Sequence, residues 1–313
     1  MLASRERRTT EEITLTTTVA KEYVHRAAVS EVFLTGWREN APDTFTVTAQ
    51  WPRCHTFYDT EHGMHDPLLL CETIRQMLPL LSHAAYGVPF GYQLSWSHFL
   101  FALDPRAMRA ERTPTELELH VRCHDIRHQR GLPAAMSMDI VAFRDGEFLT
   151  SASTRFGCHA PQLYRRLRRG RGDVPSVFAS APAPTEPLPC ARTGRSRRSD
   201  VVLSEVPGSS AWRLRVDTGH PTLFDHPVDH VPGMLLLEAA RQAAHAAHEP
   251  SGPVMVTSME VAFNRYVEFD TQCLIETRRE PGVAPQPTIR VDARQGDDLA
   301  FTASATLAEL GRL

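Results

Sequence analysis

Two helix-length stretches of the chain, at about 67–86 and about 233–248, are apolar on nearly every side. A helix with apolar residues all round is buried, so both are predicted to be core helices. Each stretch has a proline at its start, where the missing N–H has no helical partner in any case. Pro79 lies inside the first stretch, and its ring would collide with the carbonyl of Arg75. We therefore expect the first helix to kink or stop at Pro79.

Shorter runs predicted to be strands surround each helix. Residues 116–123 alternate between polar and apolar side chains, which is typical of a half-exposed antiparallel strand. One run precedes each helix and four follow it, at 45–51, 93–103, 116–126, 136–143 and 148–156, and again at 212–216, 254–266, 272–278, 288–293 and 299–308. One helix followed by a meander predicts an α+β fold with the helix packed on one face of the sheet.

The two halves of the chain repeat one another. His55 and His65 lie ten residues apart before the first helix, as His220 and His230 do before the second. Both helices then carry three leucines and a Glu-x-x-Arg-Gln motif. The motif residues are Glu72, Arg75, Gln76, Glu238, Arg241 and Gln242. A length of 313 residues also favours two domains, so we expect two copies of one unit.

The expected organisation is an N-terminal extension at 1–20, a first unit at 21–160, a linker at 161–199 and a second unit at 200–313. Residues 161–199 are rich in arginine and proline and lack apolar periodicity. That composition is typical of a solvated linker with some extended character. The alternative is a docking strip for an acidic partner such as a carrier protein.

Composition excludes several classes of protein. Hydrophobic residues make up 42% and charged residues 23%, as in an ordinary globular protein, and no apolar run is long enough to span a membrane. The net charge of −3 disfavours a nucleic-acid binder. The six cysteines form no C-x-x-C pair or zinc spacing, and no secretory signal is evident. We expect a cytoplasmic protein with reduced thiols.

Glu72 and Glu238 are the first candidates for chemistry. A carboxylate on a buried helix must be paired, protonated or directed into a pocket. Residues three and four positions apart share a helix face, so each glutamate forms a polar patch with the arginine and glutamine of its motif. The alternative is a Glu–Arg pair on a solvated face, which would contribute little. Because only the first helix is interrupted by proline, the better-formed site is expected near Glu238.

The loop before the second helix holds the other candidates. Gly233 allows close backbone approach, and the free N–H groups of Gly233 and Met234 at a helix start can hold a thioester oxyanion or a phosphate. His226, Asp229 and His230 are candidate acid–base groups or hydrogen-bonding scaffolds. A metal site is disfavoured because neither a helical His-x-x-x-His nor a carboxylate cluster accompanies them.

Residues 226–242 resemble the signature of hotdog-fold acyl-thioester enzymes, especially 3-hydroxyacyl-carrier-protein dehydratases. The interval from histidine to glutamate is about two residues shorter here, and Arg241 precedes the glutamine, so both differences argue against simple dehydration. Longer segments are similar to the A-factor synthase family, whose members are tandem hotdog proteins that start γ-butyrolactone signal synthesis in antibiotic-producing bacteria. These segments are residues 24–37, 50–53, 65–76, 86–91 and 225–234.

This resemblance implies a tandem hotdog fold in which an antiparallel sheet wraps each long central helix. It also implies transfer of a β-ketoacyl group from a carrier-protein or coenzyme A thioester to the hydroxyl of dihydroxyacetone phosphate. The acyl group arrives on coenzyme A or on the phosphopantetheine of a carrier protein, and neither a metal nor a redox cofactor is expected. Two alternatives stay open: a hotdog thioesterase or 3-hydroxyacyl dehydratase, and a non-enzymatic protein that binds acyl ligands or a lactone.

A mechanism follows from this resemblance as a hypothesis. Glu238 accepts the proton of the attacking hydroxyl, Glu72 is its counterpart, and Arg241, with Arg75 across the interface between units, holds the phosphate. The N–H groups of Gly233 and Met234 receive the oxyanion, and an apolar tunnel between sheet and helix accepts the acyl chain. The chain is then its own pseudo-dimer, with a site between Glu72 and Glu238.

Overall fold

The computed structural model describes residues 15–171, 173–250, 252–281 and 286–312. Twelve strands form one sheet in this part of the chain. The strands are β1 Leu34–Ala41, β2 Thr44–Trp51, β3 Gln93–Leu103, β4 Thr115–Gln129, β5 Leu132–Arg144, β6 Glu147–His159, β7 Leu203–Glu205, β8 Trp212–Leu214, β9 Val254–Phe263, β10 Cys273–Arg279, β11 Thr288–Gln295 and β12 Asp298–Glu309. The α-helices are α1 Pro67–Ala84, α2 Pro161–Leu167, α3 Val174–Ala179, α4 Cys190–Thr193 and α5 Gly233–His248. Short 3₁₀ turns lie at Lys21–Val24, Val29–Glu31, Pro105–Met108, Arg198–Asp200 and Leu310–Arg312.

The order of strands in the sheet shows the repeat directly. It runs β1-β2-β4-β5-β6-β3-β9-β12-β11-β10-β8-β7, and all the pairings are antiparallel. Read outward from the centre, each half therefore has the same connectivity. The halves join where β3 pairs with β9, with Phe99 opposite Val261. This confirms the predicted α+β fold built from two units.

Both long helices lie in the core as predicted. Helix α1 packs against β1, β2 and β9, α5 packs against β7 and β10–β12, and the two helices contact each other. Most residues of both helices are buried. Helix α1 continues through Pro79 to Ala84, so it does not stop there, and the expected kink stays a prediction. Among the described residues, no helix has the length and apolar character needed to span a membrane.

The sequence pattern missed the outermost strand of each half. Strand β1 is exposed along most of its length, so it lacks the alternation that marks a half-buried strand. Strand β7 has only 3 residues, too few for periodicity to reveal. Both are the edge strands of the sheet.

The interpretation of residues 161–199 as a solvated linker was also wrong in part. This segment contains α2, α3 and α4, and the side chains of Arg168 and Arg195 are almost fully buried in ion pairs. Composition could not reveal this, because the carboxylates that pair with these arginines lie far away in the sequence. The expected domain boundaries stay a prediction, and residues 1–14 of the expected extension lie outside the described residues.

Candidate active site

Glu72, on α1, is completely buried and both of its oxygens accept hydrogen bonds. Arg75 binds it through two nitrogens at 2.7 and 2.8 Å, Arg26 Nε lies 3.0 Å away, and Gln76 Nε2 lies 2.8 Å away. Burial alone would raise the pKa of Glu72, but the charges of Arg26 and Arg75 lower it to about 2. Glu72 is therefore an ionised carboxylate that holds two guanidinium groups in place.

Glu238, on α5, has the same surroundings. Arg195 binds it at 2.7 and 2.6 Å and Arg241 at 2.9 and 2.8 Å, while Gln242 donates a further hydrogen bond. Burial opposes ionisation here too, but Arg195 and Arg241 lower the pKa of Glu238 to about 2. A fully buried carboxylate with both oxygens occupied and such a low pKa has the wrong properties for the general base we expected.

Sequence reasoning missed Arg26 and Arg195, which complete these two networks. They occupy equivalent positions, because Arg75 Nη2 donates to the carbonyl of Val24 at 3.1 Å and Arg241 Nη2 donates to that of Thr193 at 3.2 Å. A signal was present. In each half an arginine stands five residues before an acidic residue, Glu31 or Asp200.

Gln76 and Gln242 brace the helices against the preceding segments. Gln76 accepts from Phe33 N and donates to the carbonyl of Glu31, at 3.0 and 2.7 Å. Gln242 makes the matching pair with Val202 N and the carbonyl of Asp200, at 3.0 and 2.8 Å. The sequence motif led us to expect that both glutamines bind substrate, but both amides are fully buried and line neither cavity, so their place is in the scaffold behind the site.

A cavity of about 830 Å³ lies where α1 and the start of α5 meet. We call it the open pocket and define it by Arg75, His230 and Gly233, all of which line it. Part of its wall is apolar and suited to an alkyl chain. The apolar lining includes Leu78, Leu94, Trp96, Leu236 and Phe263.

Gly233, at the start of α5, lines the open pocket, and two backbone donors at this helix start are free. Pro232 occupies the N-cap position and supplies no side-chain hydrogen bond, and among the described residues nothing accepts from Gly233 N or Met234 N. Glycine suits this position because an added Cβ would lie 3.3 Å from the ring of Trp96 and 3.4 Å from that of Phe263. The positive end of the helix dipole and these N–H groups favour a developing negative charge.

His230 contributes an oriented imidazole to the same pocket. Its Nδ1 lies 2.7 Å from Asp229 Oδ1, which leaves Nε2 for a ligand. Asp229 is held in turn by Tyr164 Oη at 2.8 Å and Arg168 Nε at 2.9 Å. Burial opposes ionisation of Asp229, but its hydrogen bond and charge interaction with His230, with help from Tyr164 and Arg168, lower its pKa to about 2.

His226 is placed differently. Its imidazole is 44% exposed and lies 3.3 Å from Asp225, outside the set of residues that line the open pocket. Asp225 accepts hydrogen bonds from the backbone of Ala27 and Ala28, so this corner fastens the second unit to the first. Among the described residues, no group of three or more His, Cys, Asp or Glu side chains is arranged to hold a metal ion.

A second, much smaller cavity of about 60 Å³ lies at the equivalent place in the other half. We call it the closed pocket and define it by His65, Pro67 and Arg241, which line it. Each pocket thus combines the arginine of one helix with the start of the other helix. We expected Arg75 and Arg241 to act together in a site between Glu72 and Glu238, but the structure places them beside different cavities, with Arg75 at the larger one and Arg241 at the smaller one.

Two central helices on one continuous antiparallel sheet, each lending its N-terminus to a pocket beside the other, define a double-hotdog protein. The chain belongs to the A-factor biosynthesis hotdog domain family, whose model matches residues 8–160 and 179–310.

Three similar proteins from Streptomyces carry the name 2-oxo-3-(phosphooxy)propyl 3-oxoalkanoate synthase. The one from Streptomyces virginiae is 43% identical, with 92% of this chain and 97% of that protein covered. The one from Streptomyces coelicolor is 44% identical, with 89% and 88% covered. The one from Streptomyces griseus is 40% identical, with 91% and 93% covered. Among solved structures, a protein described as an oleoyl thioesterase from Lactobacillus plantarum shares the fold, with a TM-score of 0.53, 11% identity and 85% and 96% coverage.

Proposed function

We propose that this protein transfers a 3-oxoacyl group from a thioester to the hydroxyl of dihydroxyacetone phosphate, the first step toward a γ-butyrolactone-type signal. The 2-oxo-3-(phosphooxy)propyl group in the name of its relatives is dihydroxyacetone phosphate esterified through its hydroxyl. The observation that carries this proposal is the open pocket, where a free helix start, an oriented imidazole and an arginine border one cavity whose wall is partly apolar.

The acyl donor is activated at the start of α5. The thioester carbonyl oxygen accepts hydrogen bonds from Gly233 N and Met234 N, which also stabilise the oxyanion formed on attack. The alkyl chain lies along the apolar wall that contains Trp96 and Phe263. Backbone donors fixed at a helix start stabilise that charge without reorganising, so we expect this contact to account for a large part of the rate.

His230 moves the proton. Its Nε2 takes the proton of the attacking hydroxyl as the new C–O ester bond forms, and returns it to the sulfur as the C–S bond breaks. Asp229 fixes the ring orientation through Nδ1 and stabilises the imidazolium that forms. This assignment replaces Glu238 as the base, because Glu238 is saturated with hydrogen bonds and borders neither pocket.

Arg75 holds the phosphate. Glu72 binds its Nε and Nη2. Among the described residues nothing binds Nη1, so this nitrogen is left for a ligand, and the side chain is 21% exposed. An arginine that is held in place on one side presents the remaining N–H groups in fixed directions, which suits a phosphate. Glu72 is therefore a positioning residue for Arg75.

The mouth of the open pocket is suited to an acyl donor carried on an acidic protein. Leu167 and Arg169 line the pocket next to α2, and Leu163 and Leu167 are exposed there, with Arg165 and Arg166 between them. Basic groups around exposed leucines complement an acidic helical surface with an apolar centre. We expect Arg165→Glu to raise KM for the carrier-bound donor and to leave KM for the coenzyme A thioester unchanged.

The test of the proposed function is a product analysis. Purified protein is incubated with 3-oxoacyl thioesters of carrier protein and of coenzyme A, with and without dihydroxyacetone phosphate, and products are read by mass spectrometry. The proposal predicts the phosphorylated 3-oxoalkanoate ester only when dihydroxyacetone phosphate is present. Release of free 3-oxoacid or of an unsaturated thioester at the same rate without dihydroxyacetone phosphate would instead identify a thioesterase or a dehydratase. Tight binding without turnover would identify a non-enzymatic binder.

A further inference from the structure

His25 is a residue of the open pocket to which the mechanism above assigns no role. It lines the cavity beside Arg75. The guanidinium of Arg75 donates a hydrogen bond to the carbonyl of Val24, the residue before His25. Its backbone adopts the left-handed conformation, with φ of 52°, which is uncommon for a residue other than glycine. Such a conformation persists where the surroundings hold it, and it places an imidazole next to the proposed phosphate-binding arginine.

The hydrogen bonds of His25 define which atom it offers to a ligand. Its Nε2 lies 2.8 Å from His83 Nε2, and His83 Nδ1 lies 2.6 Å from the carbonyl oxygen of Val88. A carbonyl only accepts, so His83 carries its proton on Nδ1 and, when neutral, accepts at Nε2. His25 must then donate from Nε2, and its Nδ1 is left as an unprotonated acceptor.

The surroundings keep His25 neutral. Burial is the main reason that the pKa of His25 falls to about 3, and the nearby Arg75, His83 and His226 add to the effect. Among the described residues, no group forms a hydrogen bond with His25 Nδ1. This nitrogen is not fully buried, so it is accessible. The pocket therefore contains a fixed acceptor that cannot readily become a cation.

The closed pocket shows what the other half does at the same place. Gly194 stands before Arg195 as His25 stands before Arg26, and it has the same left-handed backbone, with φ of 62°. A Cβ on Gly194 would lie 2.9 Å from the ring of His245, so the space is already filled. In the closed pocket an imidazole from α5, that of His245, therefore occupies the place that the His25 side chain takes in the open pocket.

We propose that His25 Nδ1 recognises the hydroxyl of the acceptor substrate as it binds. In the complex without acyl donor, the hydroxyl donates its one hydrogen bond to His25 Nδ1 while Arg75 holds the phosphate, and it turns this proton to His230 Nε2 when it attacks the thioester. A phosphate oxygen needs donors, so an unprotonated nitrogen is matched to the hydroxyl end of dihydroxyacetone phosphate and not to its phosphate. This inference rests on the proposed function, because it names the residue that selects the acceptor in that reaction.

The experiment uses two ligands and two variants of the full chain. Titration calorimetry compares dihydroxyacetone phosphate with acetol phosphate, which has hydrogen in place of the hydroxyl. His25→Gly removes the imidazole and suits a left-handed backbone, as Gly194 does in the other half. His25→Asn also tolerates this backbone and keeps an acceptor, Oδ1, near the position of Nδ1.

We expect the wild-type protein to prefer dihydroxyacetone phosphate about 3- to 10-fold, the contribution of one hydrogen bond. His25→Asn should keep most of this preference, and His25→Gly should lose it while binding acetol phosphate as the wild type does. That unchanged affinity shows that the variant is folded. A preference that survives in His25→Gly, in a wild-type protein that binds dihydroxyacetone phosphate and forms the ester, would overturn this inference alone. A wild-type protein that binds neither ligand would contradict the proposed function as well.

Discussion

The two pockets of this chain descend from one repeated unit but differ at each point that matters for acyl transfer. The open pocket has about 830 Å³ of space and the closed pocket about 60 Å³. At the first position of the helix, the open pocket has Gly233, which keeps its N–H, and the closed pocket has Pro67, which lacks one. In the closed pocket Asp66 caps Leu68 N at 2.8 Å, so a carboxylate of the protein itself already occupies the anion site.

The histidines of the two pockets also differ, because only the one in the open pocket is oriented by a carboxylate. His230 is oriented by Asp229, whereas the corresponding His65 follows Met64 and its Nδ1 is buried without a partner among the described residues. Burial and the charge of Arg144 lower the pKa of His65 to about 4. By contrast, the Glu–Arg–Arg–Gln networks behind the two pockets are nearly identical. Both halves therefore keep the scaffold, and only the open pocket has the groups that the proposed mechanism uses.

The largest expected contrast is between the two histidines. His230→Gln removes the imidazole that moves the proton, so kcat for ester formation should fall about 10³-fold, within the range of general acid–base catalysis. His65→Gln, the matched change in the closed pocket, should leave kcat of the folded protein within about 3-fold of wild type. Steady-state kinetics with dihydroxyacetone phosphate measures both. Equal losses for the two variants would show that the pockets share the reaction.

The next contrast concerns one backbone N–H. Gly233→Pro gives the open pocket the residue that the closed pocket has, and it fits the helix start because Pro232 already has an extended backbone, with ψ of 143°. Loss of one oxyanion donor should lower kcat about 10²-fold. Gly233→Ala, which adds a Cβ near Trp96 but keeps the N–H, is the control and should retain far more activity. A proline variant as active as the alanine variant would rule out this donor.

A smaller contrast is expected between the two arginines. Arg75→Met should raise KM for dihydroxyacetone phosphate at least about 10-fold, because the phosphate loses a charged hydrogen-bond donor. Arg241→Met breaks an equivalent ion pair with Glu238, so it controls for lost stability, and it should change KM little. A rise in KM of the same size for Arg241→Met would instead support the phosphate-binding role that the sequence predicted for Arg241.

The smallest contrast is expected for the two glutamates. Glu72→Gln removes the carboxylate that Arg26 and Arg75 share, and it should lower the free energy of unfolding by about 3–5 kcal/mol. Glu238→Gln does the same to Arg195 and Arg241, but the loss should be smaller because Arg195 keeps its ion pair with Asp66. Urea denaturation measures this. Among the folded molecules, Glu72→Gln should lose more activity, since it loosens Arg75. A selective loss of kcat in Glu238→Gln would support the general base that the sequence suggested.

Acid should weaken both halves together. The pKa values of Glu72 and Glu238 fall to about 2 in the folded protein, below the ordinary value of about 4.3 for an unfolded glutamate. A lowered pKa contributes stability above the unfolded value, and this contribution is lost as pH falls toward 2. The free energy of unfolding should therefore decline from about pH 5 downward, and either Gln variant should flatten that decline. An unaltered pH profile in both variants would contradict the ionised state of these carboxylates.

Much of this architecture could be predicted from the sequence. The repeated motifs located both core helices and placed Gly233 at a helix start. The predicted bounds of α5 match the observed ones, and the observed α1 ends two residues before its predicted end. The networks could not be completed, because Arg26 reaches Glu72 across 46 residues and Arg195 reaches Glu238 across 43. Arg195 could not be identified because it lies in an arginine-rich segment whose composition is typical of solvent-exposed residues.

The sequence also contains the difference between the pockets, although its hydrophobic pattern does not show it. Aligning the helices on Glu72 and Glu238 sets Pro67 against Gly233 and Asp66 against Pro232. That alignment alone distinguishes a capped helix start from a free one. What it could not show is that His25 lies beside the free start, since it belongs to the other unit.

The central claim is that acyl transfer takes place in the open pocket only. The most direct measurement is a crystal structure with a hydrolysis-resistant 3-oxoacyl thioester analogue and dihydroxyacetone phosphate. We expect one analogue per chain, with its carbonyl oxygen within hydrogen-bond distance of Gly233 N or Met234 N and the phosphate on Arg75. An analogue bound beside Pro67 and Arg241, or one in each pocket, would contradict the account.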